Sequence, residues 1–171
     1  MTPFSNNIIF WDSEFSSLDP RQGEILSVGM VKFSGEEFYI ELEYEGYMDE
    51  WPKENVLPFL GDKKIQRSEA GKMIYDFIGE GKPYLMSYVN QYDTLYLYKL
   101  LGLKGGKDYK FNWISLDFAS ILFGIGIDPE EFSFGSDFCK KLGIDYTQYR
   151  HHHALDDAKL LRDVYLRLNK E

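Results

Sequence analysis

Residues 8–11, Ile-Ile-Phe-Trp, put Ile8 and Phe10 on one face of an extended segment and Ile9 and Trp11 on the other. A strand that is apolar on both faces belongs inside a sheet covered on both sides. The run ends in Asp12 and Glu14, which share the face of Ile8 and Phe10. At strand geometry their Cα atoms stand roughly 6.5 Å apart, and such a pair repels unless a cation lies between them. Two more apolar runs, 24–33 (EILSVGMVKF) and 37–43 (EFYIELE), flank Ser34, Gly35 and Glu36 and predict a hairpin with a short turn.

Residues 47–62 carry Pro52 and Pro58 and read as an irregular connection with one helical turn. Ile65, Ala70, Met73, Ile74 and Phe77 recur near helical spacing and predict a helix over 63–78. The stretch 83–89 (PYLMSYV) reads as a buried strand, and 92–101 as a helix stopped by Gly102 before a loop of glycines and lysines. The segment 111–116 (FNWISL) supplies a fifth strand, 117–125 and 133–142 are helical, and a last helix spans 153–168. A hairpin followed by alternating helices and strands predicts an α/β fold: a mixed five-stranded sheet with an antiparallel N-terminal hairpin, flanked by helices. Ligands in such sheets gather beyond the carboxyl ends of the central strands, which is where Asp12 and Glu14 fall.

The last helix sharpens this picture, because Asp157, Leu161, Val164 and Leu168 fall on one face, setting a carboxylate on the apolar stripe. Asp156 groups instead with Leu160, Asp163 and Arg167, a mixed face expected to be partly wet. The helix at 92–101 repeats the device, with Asp93 in its first turn ahead of Leu97, Leu100 and Leu101. Taken singly, an acid at a helix start is a cap or a favourable charge at the positive end of the dipole. Together, semi-buried carboxylates cost several kcal/mol each unless offset, and hard divalent cations with oxygen ligands are the economical remedy. Three histidines stand at 151–153, just before these acids, where the bland alternative is a solvated polar turn. A neutral imidazole is a suitable general base near pH 7. Helical spacing nominates His153, four residues before Asp157.

The 171 residues, 44% apolar and 17% aromatic, suffice for one domain over 1–171 with its own core. The N-terminal MTPFSNN has no leader pattern, and no apolar run is long enough for a membrane span, so a cytoplasmic location without membrane partners is expected. A single cysteine, Cys139, fits a reducing compartment and a small core position on a helix. Nineteen basic against 28 acidic residues leave a net charge of −9, which excludes tracking along nucleic acid by charge alone. It leaves room for a grip on a few terminal nucleotides, with Lys63, Lys64 and Arg67, or Lys104, Lys107 and Lys110, as local basic groups that are otherwise ordinary solvated charge.

DSEFSSLDP at 12–20, VNQYDTLYL at 89–97 and HHALDDA at 152–158, in this order, resemble the three motifs of the DEDDh 3′-to-5′ exonucleases on the ribonuclease H-like fold. The match covers nearly the whole chain. FWDSEF, WPKENVLPFL and YVNQYD are also similar to the polyadenylate-specific exoribonuclease and oligoribonuclease branch. Departures are Ser16 and Ser17 where many relatives have Thr-Gly, and Val89 where an Asn is usual, positions that bear on the terminal nucleotide and on RNA against DNA.

The resemblance implies a metal-dependent exoribonuclease that acts on the 3′ end of single-stranded RNA, short or adenylate-rich, and releases nucleoside 5′-monophosphates. Asp12, Glu14 and Asp157 would hold one Mg²⁺, and Asp12 with Asp93 a second, with Mn²⁺ as a substitute. It assigns the general base to His152, in place of the His153 nominated by spacing. Phe15, Ser16 and Leu18 would meet the terminal nucleotides, and a homodimer is expected. The alternatives are a DNA exonuclease of proofreading or repair type and a binding module that has lost turnover.

Overall fold

A computed structural model describes residues 4–103, 109–133 and 136–169. The doubly apolar first strand, β1 (Ile8–Phe15), is the middle strand of five. On one side it pairs antiparallel with β2 (Ile25–Lys32), which pairs with β3 (Glu37–Glu41); on the other it pairs parallel with β4 (Tyr84–Ser87), which pairs with β5 (Leu116–Asp117). The sheet order is therefore β3-β2-β1-β4-β5. The hairpin turns at Gly35, whose φ of 98° lies in the left-handed region open to glycine.

Alternation along β1 sends Ile8 and Phe10 into one core and Ile9 and Trp11 into the other. The second core is completed by Ala70, Ile74 and Ile78 of α2 (Arg67–Ile78) and by Tyr96 and Leu97 of α3 (Gln91–Leu100). The first is covered by α4 (Phe118–Gly124) and by Leu160, Leu161, Val164 and Leu168 of α7 (Ala154–Leu168). Two short helices, α5 (Pro129–Ser133) and α6 (Ser136–Lys141), lie between them in sequence, and Cys139 on α6 is a fully buried core thiol as expected. Among the described residues no helix is long and apolar enough to cross a membrane.

Three local expectations are corrected. The helix expected over 63–78 starts at Arg67, because Ile65 instead bridges Leu42 in extended form, donating to the Glu41 carbonyl and accepting from Glu43 N. Met73, placed on its apolar stripe, is exposed. The fifth strand is only Leu116–Asp117; Trp113 and Ile114 lie outside it and are exposed. The connection at 47–62 holds α1 (Glu50–Asn55) and a 3₁₀ turn (Leu57–Phe59), and the helix expected at 133–142 is represented by α6, with residues 134 and 135 outside the described residues.

One contact sets the distance between α7 and the sheet. Gly29 of β2 stands opposite Asp12 in the antiparallel register, and a Cβ there would lie 2.2 Å from Leu155 N and 2.3 Å from the Ala154 carbonyl carbon. The first turn of α7 thus rests directly on β2 backbone, a separation only glycine permits. Gly29→Ala is expected to force the helix outward at a cost of about 1–3 kcal/mol, a fall in Tm of roughly 2–12 °C, measurable by thermal unfolding.

Candidate active site

The three parallel strands end on the same side of the sheet, and a cleft of about 610 Å³ opens there. Asp12, Glu14, Asp93, Asp157 and His152 all line it. Asp12 and Glu14 come from the end of β1, on the face turned toward α7, and Asp157 from the first turn of α7 held down at Gly29. Ligand oxygens of these three acids lie within 4.8 Å of one another, with Glu14 buried and the other two half-buried. Asp93 reaches the cleft from the opposite face of the sheet, at the start of α3. Its Oδ1 accepts from Ser13 N at 3.0 Å and Ser13 Oγ at 2.7 Å. The residue between the two acids of β1 therefore anchors the fourth acid, a role that pattern alone did not reveal.

The electrostatics follow from the crowding. Burial, then the charges of Asp93, Glu14 and Asp157, push Asp12 well above the ordinary carboxylate range. Burial and the charges of Asp157 and Asp93 raise Glu14 to about 8. Burial raises Asp93 to about 7 against the opposing bonds from Ser13. Burial and the neighbouring Asp156 raise Asp157 to about 7, against backbone hydrogen bonds from His152 and His153. Without a cation these groups hold protons at pH values where carboxylates are normally charged. A cluster of hard oxygen donors that resists its own negative charge fits a divalent metal ion, which would remove the cause of the shifts.

The two candidate bases part company. His152 faces the cleft, half-buried, with its ring edge-on to Trp51 at a centroid distance of 4.7 Å. Burial, then His151, lowers its pKa, so the imidazole is neutral near pH 7. His153 is the N-cap residue of α7, buried beneath the loop, stacked on Tyr39 at 4.6 Å and outside the cleft lining. A φ of 57° at His152 turns the two side chains apart, a conformation that helical spacing could not anticipate.

Phe15 and Leu18 line the cleft; Phe15 stacks on Tyr96 at 4.6 Å, and Leu18 is 59% exposed. Ser16 does not line it. Its side chain is fully buried and Oγ accepts from Glu24 N at 3.0 Å, so it fixes the chain after β1, and the cleft is lined by Ser17 instead. The aromatic wall of Trp51, Tyr88, Tyr92 and Tyr146 also went unidentified, since these side chains come from three stretches far apart in the chain. Among the described residues none of the basic candidates Lys63, Lys64, Arg67 and Lys110 lines the cleft, Arg67 being engaged by Glu24 and the Ile25 carbonyl; Lys104 and Lys107 lie outside the described residues. Asp156, expected on a partly wet face, is buried and bound by Arg150.

No family model matches the chain. It is 27% identical over 169 residues to the DNA polymerase III subunit epsilon of Rickettsia conorii and of Rickettsia felis, a match covering 94% of this chain and 72% of each relative. Its fold is similar to the Mg²⁺- and Mn²⁺-bound form of S. pombe Pop2p, with a TM-score of 0.76, 11% identity, and 97% of this chain and 84% of that chain covered. It is also similar to the nuclease domain of 3′hExo, a DEDDh family member, bound to rAMP, with a TM-score of 0.74, 16% identity, and 99% and 94% covered. The chain has the expected ribonuclease H-like α/β fold, shared with these solved structures.

The raised carboxylates make the metal-free cleft a pH-dependent liability. Between about pH 4 and 8, the folded chain keeps protons on Glu14, Asp93 and Asp157 that the unfolded chain has released, so stability falls as pH rises through that window. The Tm in chelator is expected to drop between pH 5 and 8, and saturating Mg²⁺ or Mn²⁺ to restore it; a cation at 100 times its Kd contributes about 2.7 kcal/mol. Asp157→Asn should raise the metal-free Tm at pH 8 and shrink the metal response; unchanged values for both would contradict a shared cation site.

Proposed function

We propose that this protein is a member of the DEDDh family, a metal-dependent 3′-to-5′ exoribonuclease that shortens single-stranded RNA, short or adenylate-rich, one nucleoside 5′-monophosphate at a time. The observation that carries the reading is the convergence of Asp12, Glu14 and Asp157 within 4.8 Å, in a cleft shared with Asp93 and a neutral, half-buried His152. We assign Asp12, Glu14 and Asp157 to one Mg²⁺ and Asp12 with Asp93 to a second, with Mn²⁺ as a substitute. Such ions, when bound, neutralise the phosphate, stabilise the leaving oxygen and acidify the attacking water.

The protein groups have separate tasks. His152 accepts the proton of the water whose oxygen forms the new bond to phosphorus. The bond from phosphorus to the 3′ oxygen of the preceding nucleotide breaks, that oxygen takes a proton from solvent to end as a hydroxyl, and the terminal nucleotide leaves as its 5′-monophosphate, after which His152 gives its proton back to solvent. Phe15 and Leu18 offer apolar surface to the last bases, which stacks without reading sequence. Ser13 keeps Asp93 aimed at the cleft through two hydrogen bonds.

A DNA exonuclease is the second reading, favoured by the similarity to the DNA polymerase III epsilon subunits. RNA is favoured by the oligoribonuclease-like motif at 12–20. Release of mononucleotides from 5′-labelled RNA and DNA oligomers, with Mg²⁺ and with chelator, separates the two. Stepwise shortening of RNA alone is expected; shortening of DNA alone would replace the substrate assignment, and cutting of neither with any divalent ion would leave a binding module. Asp157→Asn and His152→Ala should each lower turnover by roughly 10²–10⁴-fold with the fold retained, whereas His153→Ala should lower it far less. Light scattering tests the homodimer that the resemblance implies.

A further inference from the structure

The loop that carries His152 is tied to α7 by contacts that the reaction does not use. Asp156 neighbours Asp157 in sequence, but one helical step turns it about 100° away, out of the carboxylate cluster, and it is only 8% exposed. Its Oδ2 accepts from Arg150 Nε at 2.6 Å and from Arg150 N at 3.2 Å. Arg150 Nη2 lies 3.3 Å from His153 Nδ1. A guanidinium only donates, so Nδ1 accepts and His153 is the neutral tautomer with its proton on Nε2. On the far side of His153, Tyr39 stacks against the ring, and the Tyr39 hydroxyl donates to Glu41 at 2.8 Å.

His152 is therefore held from both sides. Arg150 before it and His153 after it are both fixed to Asp156 or its surroundings, and Asp156 N donates to the His153 carbonyl at 2.8 Å. A second tie lies one residue earlier, where Tyr149 OH donates to Asp163 at 2.6 Å. Asp156 and Asp163 are seven residues apart, on one stripe of α7. Between these fixed points His152 keeps a left-handed backbone, which a non-glycine residue holds only where its surroundings impose it. The Arg150 side chain is 57% exposed, and so open an ion pair contributes little to stability. A short, charge-assisted bond defines geometry well.

We propose that Arg150 and Asp156 form a positioning pair that fixes the His152 loop at the mouth of the cleft and so sets turnover without touching substrate. The inference rests on His152 being the base. A displacement of about 1 Å at a reacting group is sufficient to cost 10²-fold in rate, so a pair that holds the loop is under the same constraint as the base itself.

The test is a double-mutant cycle on the full chain, reading kcat and KM for mononucleotide release in saturating Mg²⁺. Arg150→Ala is expected to lower kcat by about 10–100-fold, with KM changed less than about threefold and the Mg²⁺ concentration for half-maximal rate unchanged. Asp156→Asn, which keeps the shape and one acceptor oxygen, should lose less and thereby covers the case of an unstable Arg150→Ala. The Arg150→Ala/His152→Ala double variant should be no slower than His152→Ala alone, because a misplaced base and a missing base are the same defect. Losses that multiply in the double variant, or full kcat in both Arg150→Ala and Asp156→Asn, would overturn the positioning role while leaving the base assignment standing. Full activity in His152→Ala would overturn both.

Discussion

Asp12, Glu14 and Asp157 bring ligand oxygens within 4.8 Å of one another, and unit negative charges at that separation repel by about 3 kcal/mol even at an effective dielectric of 20. The rest of the molecule is arranged to impose that arrangement and to make a cation its natural resolution. The central strand ends where two of these acids stand. A glycine on the neighbouring strand lets the last long helix descend far enough to add the third. Packing in two hydrophobic cores, one on each face of the sheet, holds the parts together against the repulsion.

Asp93 is treated differently. It arrives from the other face of the sheet, and both donors of Ser13 fall on a single oxygen, Oδ1. One tripeptide, Asp12-Ser13-Glu14, thus supplies two acids to one side and a clamp for a third acid to the other. Strand alternation is what separates these duties. His152, the proposed base, sits in the same cleft but is governed by burial of its ring, which lowers its pKa while the carboxylates beside it are pushed toward their protonated forms.

Much of this was legible in the chain because it depends on periods of two and 3.6. The doubly apolar β1, the hairpin, and the face of α7 that joins Asp157 to Leu161 and Val164 are local patterns that tertiary packing leaves intact. The losses occur where distant segments decide. Ile65 fits a helical stripe but is taken by Leu42 as a bridge partner. Asp156 belongs to a mixed face by periodicity, yet Arg150 folds back from the preceding loop and seals it. The difference between His152 and His153 turns on one left-handed residue, and Ser17 takes the place expected of Ser16 because the chain leaves the strand after Phe15 and the Glu24 amide captures Ser16.

That the acid pair of β1 waits on Asp157 for completion has a consequence for synthesis. The ribosome delivers Asp12 and Glu14 near the beginning of the chain and α7 some 140 residues later, by the difference between positions 14 and 154. Until that helix has emerged and docked, the growing polypeptide lacks the third carboxylate, and the histidine loop has no anchor. The carboxylate cluster thus exists only in the finished fold, and a nascent copy presents no assembled cation site.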